Sequence, residues 1–139
     1  MTNDTRIVPL SRSSRDLSRF LEVSYAVYRN DPNWVAPLLM DLKKVFTDAN
    51  PLFKHAQMQL WVASRNGQDV GRIAGILDEE YYRTTNKRAA FFGFYECLDD
   101  PATSRQLFAA VRDWACQKGG ATTMKLGWNS GADWSVGNA

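Results

Sequence analysis

Histidine is almost missing from this sequence: His55 is the only one in 139 residues. That count excludes zinc sites built on several histidines and His–His proton relays. Cysteine is nearly as scarce. Cys97 and Cys116 fall in different predicted elements, match no paired metal-ligand spacing, and read as small packing residues in a reducing compartment. No metal site is expected. Long apolar runs are missing too: nothing approaches the roughly 20 residues that span a bilayer, and the opening MTNDTRIVPL lacks the apolar core of a signal peptide. The reading is a cytoplasmic chain without a membrane partner. Nor is there an excess of one charge. The 17 basic and 15 acidic residues, net +2, are scattered, so a nucleic-acid partner is not expected.

What is present suits a single folded domain. Hydrophobic residues make up 45%, charged residues 23% and aromatics 12%, far from the signature of disorder. Residues 6–10 read as a first strand, followed by Ser13, Ser14 and Asp16, a capping serine with an acid at the positive helix end. Leu17, Phe20, Leu21, Ser24, Tyr25 and Tyr28 then recur at helical spacing. Asn30 to Asn33 stops that helix, and Leu38, Leu39, Leu42, Val45 and Phe46 predict a second over residues 37–46.

Met58, Leu60 and Val62 alternate as a strand does, Asn66-Gly67 marks a tight hairpin turn, and residues 70–77 return as its partner. Residues 88–98 carry aromatics on both faces and predict a central strand covered on both sides. Asp100-Pro101 opens a helix with a stripe of Leu107, Val111, Trp114 and Ala115, stopped by Gly119-Gly120 before a last strand at residues 121–126. The order β-α-α-β-β-β-α-β implies an α/β or α+β fold with a mixed sheet and flanking helices. Residues 127–139 show no period and read as an irregular, disordered tail after a domain spanning residues 1–126.

This order resembles the first part of the GNAT N-acetyltransferase fold. YRNDPNWVAPL at residues 28–38, NPLFKHAQMQLWVASRNGQDVGRIAGILD at 50–78 and FFGFYECLDDP at 91–101 are similar to the amino-terminal region of a bacterial family of GNAT-like proteins. The resemblance covers roughly residues 6–126. It implies a degenerate amino-terminal half, incomplete at its carboxyl end, of a protein well over twice as long whose other half carries the acetyl-CoA motif. Gly127 to Gly131 depart from the Gly-Pro and Asn-Pro-Ser-like continuation of that family, an ending that truncation or a frameshift would produce.

The resemblance further implies acetyl transfer from acetyl-CoA to a small-molecule amine. GNAT enzymes hold the pyrophosphate on a glycine-rich turn where the central strand meets a helix, a position that falls here on Asp99 to Ser104. The backbone N–H groups of Ala102, Thr103 and Ser104 are the candidate phosphate donors. Against them stand the lack of glycine, Pro101 without an N–H, and two aspartates where an anion would sit. An N-cap aspartate also satisfies the helix donors itself.

Glu96, near the end of the central strand, is the candidate general base, a role favoured by apolar neighbours such as Phe94, Tyr95 and Leu98. Tyr95 could protonate a leaving thiolate, but alternation puts it on the opposite face from Glu96. His55 has no nucleophile or second carboxylate beside it in sequence and reads as a loop anchor. Gly71, Gly75 and Gly93 mark a bulge or a close approach, of pantetheine or of a packed helix. The alternative to an acyltransferase relation is a non-catalytic scaffold that pairs with a partner domain or another copy through an exposed sheet edge.

Overall fold

Alternating apolar residues build a mixed sheet because each strand must bury two faces, one under each helical layer. The computed structural model describes residues 5–33, 43–119 and 123–126. Among them five strands, β1 (Thr5–Leu10), β2 (Ala56–Arg65), β3 (Gln68–Asp78), β4 (Ala89–Cys97) and β5 (Thr123–Leu126), lie side by side in chain order. The first three junctions are antiparallel and the last is parallel. A parallel neighbour requires a crossover, and helix α3 (Pro101–Gly119) supplies it between β4 and β5. Asn66 and Gly67 take φ of 52° and 79°, the left-handed pair that a two-residue hairpin needs, as the sequence indicates.

Helix α1 (Ser14–Val27) begins at Ser13, whose hydroxyl accepts from the Asp16 N–H at 3.2 Å. Asp16 reciprocates by accepting from the Ser11 backbone and hydroxyl, both at 2.8 Å, which holds its carboxyl below the usual range. The helix buries Leu17, Phe20, Leu21 and Val23 against one sheet face with Leu60, Val62, Ala74, Ile76, Phe91 and Phe94. Each such fully buried side chain stabilises the fold by about 1.5–3 kcal/mol. On the opposite face α3 lays Leu107 and Val111 on Trp61, Ala63 and Ile73. Gly71 and Gly75 answer to that packing. A Cβ at Gly71 would stand 2.9 Å from Leu107, and one at Gly75 would stand 3.1 Å from both Trp61 and Trp114.

The structure adds one helix to the expected order. Residues between β3 and β4 form α2 (Glu79–Thr85), capped by Asp78 and closed by Asn86 in the left-handed conformation, φ 59°. Tyr81 packs edge-on against Phe91 and Tyr82 lies under Arg88, so the two tyrosines anchor this segment. The helix expected over residues 37–46 lies mostly outside the described residues, although residues 43–45 are helical. Trp34 and the tail at 127–139 also lie outside them.

Candidate functional site

Strand β4, expected to be central, lies next to last in the five-strand order behind β3, and it is interrupted where the candidate base Glu96 sits. Arg72 pairs with Glu96 and Ala74 with Gly93, so Phe94 and Tyr95 on β4 face the single residue Ile73 on β3. This extra residue is a β-bulge, and Phe94 carries it at φ 53°. Such a conformation is costly for a residue with a Cβ and persists only where the surroundings impose it. Arg72, buried at 6% exposure, meets the bulge: its Nε donates to the Phe94 carbonyl at 2.9 Å. Its Nη1 donates to the main-chain carbonyls of Phe20 at 3.3 Å and Leu21 at 3.1 Å on α1. One guanidinium thereby ties α1, β3 and β4 together. Burial lowers its pKa to about 10 against the opposing pull of the Glu96 carboxylate, so it remains a cation at neutral pH.

Beyond the bulge Glu96 faces α1. The Tyr28 hydroxyl, at the carboxyl end of that helix, donates to Glu96 Oε1 at 2.5 Å. That bond, followed by burial, raises the Tyr28 pKa above its ordinary value. The neighbours expected from sequence are largely elsewhere. Tyr95 lies on the other face, bonded to Ser104 Oγ at 2.7 Å and packed on Phe108, and Leu98 is exposed. Glu96 instead has an acid donor and a cation for company, from Tyr28 and Arg72. Sequence reasoning missed both, because they lie far from Glu96 in the chain and each fits an ordinary helix or strand pattern.

At the start of α3 the Asp100 carboxylate occupies the donors. Its Oδ1 accepts from the Ala102 N–H at 3.2 Å, and its Oδ2 accepts from Thr103 Oγ1 at 2.8 Å and from the Arg65 guanidinium. Arg65 also donates to Thr103 Oγ1 at 2.6 Å, and the Ser104 N–H goes to the Asp100 carbonyl at 3.0 Å. Thr103 is buried, at 1% exposure. The Thr103 and Arg65 bonds hold the Asp100 carboxyl below its usual range, so it is ionised at neutral pH. A cavity of about 520 Å³ beside this cluster is lined by Arg65, Asp100, Thr103 and Arg105. A pyrophosphate does not fit while Asp100 keeps these bonds, because like charges would meet and Pro101 offers no donor.

The remaining candidates are structural in their contacts. His55 Nδ1 lies 2.6 Å from Asp78 Oδ1, and the His55 carbonyl accepts from the Glu79 N–H at 2.9 Å, so His55 anchors the 3₁₀ turn Pro51–Lys54 to α2. Cys97 and Cys116 are both free thiols. Among the described residues no group of three or more His, Cys, Asp or Glu side chains is placed to hold a metal, and no helix is long and apolar enough to cross a membrane.

Comparison with known proteins places the fold. No protein-family model matches the sequence. A bacterial ceramide synthase of Caulobacter vibrioides (strain NA1000 / CB15N) is 36% identical over 118 residues, 84% of this chain and 30% of that protein. Protein YghO of Escherichia coli (strain K12) is 33% identical over 107 residues, 77% of this chain and 27% of its own length. The chain therefore spans less than a third of these curated relatives. Among solved structures, a tandem GNAT protein from the clavulanic acid biosynthesis pathway superposes with a TM-score of 0.64 at 18% identity, covering 95% of this chain and 40% of that one. The aminoglycoside N-acetyltransferase AAC(6')-Iy, solved in complex with CoA, gives 0.60 at 16% identity over 93% of this chain and 80% of that one. The fold is GNAT-like.

Proposed function

We propose that this chain is a GNAT-fold module, ending near residue 126, of a longer bacterial N-acyltransferase, and that its own surface serves the acyl acceptor more than the donor. Amide formation on a long-chain amine, the chemistry that the name ceramide synthase denotes, is the reaction class we assign to the whole protein. The single observation that supports the reading is Asp100, whose carboxylate takes the Ala102 N–H and the Thr103 hydroxyl that a phosphate would need. In this reading Glu96 accepts a proton from an incoming ammonium group, with Tyr28 and Arg72 fixing the carboxylate. The Ala102, Thr103 and Ser104 backbone would take a phosphate only when Asp100 has moved.

Titrating the purified chain with acetyl-CoA by calorimetry, with free CoA as control, tests this division of labour. We expect no binding of micromolar strength. Micromolar binding would make this module the acyl-donor site and overturn the assignment.

A second reading has its own observation. Strand β1 ends the sheet order, so among the described residues one of its edges has no strand beside it. A scaffold that pairs with another domain or copy would use this edge. Light scattering on the purified chain decides: a strict monomer at high concentration counts against self-pairing.

A further inference from the structure

We propose that Arg72 is a positioning residue for Glu96, turning it toward Tyr28 and α1 by holding the Phe94 carbonyl in the bulge. The inference deepens the reading of Glu96 as a base and rests on it for its functional meaning, while its geometric content stands apart.

The argument is one of alternation. Phe91 packs with the α1-side core and Phe92 with the α3-side core, against Phe108. An uninterrupted strand would continue that period, sending the side chains of residues 94 and 96 to the α3 face with Phe92. The structure has the reverse. Phe94 packs on Phe20 and Phe46 on the α1 side, Tyr95 on Phe108, and Glu96 on Tyr28. The single extra residue in the bulge makes that switch, and Arg72 Nε–H is bonded to the carbonyl of the residue at positive φ. The same guanidinium is fixed on its far side by two α1 carbonyls, so the bulge is referenced to the helix that also carries Tyr28. Lysine could not reproduce this. Its point charge lacks the planar fork that reaches β4 and α1 together.

The test reads Tyr28. Its titration, followed by the NMR shift of its ring carbon in the purified chain, reports the Glu96 carboxylate at its hydroxyl, with the charges of Arg72 and Asp31 as the other nearby influences. In Arg72→Lys we expect the Tyr28 midpoint to fall toward the value found in Glu96→Gln, with loss of the contact between residues 28 and 96 in nuclear Overhauser spectra. A residue that only adds stability would leave both unchanged in the folded variant, and that result overturns the proposal. Should the variant not fold, the unmodified chain still decides. The Arg72 Nε–H must exchange slowly with solvent, and fast exchange overturns the proposal equally. Failure of Glu96 as a base is a separate result, read from an undiminished rate in Glu96→Gln of the full-length protein.

Discussion

Tyr28 and Glu96, separated by 68 positions in the chain, meet in a 2.5 Å hydrogen bond from hydroxyl to carboxylate. It connects the end of α1 to the strand behind the bulge. A bond to a charged acceptor contributes about 1.5–3 kcal/mol when well protected. Both residues here are only partly buried, so we expect Tyr28→Phe to cost about 1 kcal/mol in urea unfolding after that discount. The pH dependence follows from the raised Tyr28 pKa. Its contribution is complete below the ordinary value of 10.0 and lost as pH rises through the higher folded value. Wild type should therefore converge on Tyr28→Phe in strongly alkaline solution; a constant gap would contradict this.

The two strand glycines make a second prediction. Gly75 lies against Trp61 and Trp114, whose rings meet edge-to-face at 5.7 Å, and neither indole can give way without disturbing the other. Gly75→Ala should destabilise the chain by about 1–3 kcal/mol through overpacking. Gly71→Ala should cost less, since the closest atom is the flexible end of Leu107. Thermal unfolding of both variants checks the order, which a ligand-based explanation of these glycines would not predict.

Which parts of this structure were legible in the sequence follows from how local their causes are. Helix α1, the Asn66-Gly67 hairpin and the doubly covered β4 are written in period and turn chemistry, and they stand as read. The short helix α2, seven residues long, shows too little period to register in the sequence. Its signal lay in its ends, Asp78 as N-cap and Asn86 as a left-handed stop. Around Glu96 the opposite facing of Tyr95 was legible, but the Glu96 partners Tyr28 and Arg72 were not. They depend on a bulge in β4 whose carbonyl Arg72 bonds from the neighbouring strand, and strand alternation counts wrongly across a bulge.

Asn86 tests the reading of those helix ends. At φ 59° it donates its N–H to the Tyr82 carbonyl at 2.7 Å, a conformation that glycine adopts without penalty. Asn86→Gly should be neutral or slightly stabilising, while Asn86→Ala should cost about 1 kcal/mol. Equal stabilities for the two variants, measured by denaturant unfolding, would remove the left-handed stop.

Asp100 gives the prediction with the widest consequence. Its carboxyl is held below the ordinary value of 3.8 by Thr103 and Arg65, so its contribution to the start of α3 is present above that value. As pH falls through the lower folded value the contribution is lost, and amide protection of the first turn of α3 should fall with it. Asp100→Gly removes the internal anion at any pH. It frees the Ala102 N–H and the Thr103 O–H, and leaves the Arg65 guanidinium, still donating to Thr103 and Thr5, without a carboxylate beside a cavity that Arg105 also lines. Inorganic pyrophosphate should then bind the variant and not the wild type, with shifts in the amide resonances of Ala102 to Ser104. If the variant binds nothing although its fold is intact, the start of α3 is closed by more than Asp100, and the helix is scaffold in this chain whatever occupies its cap.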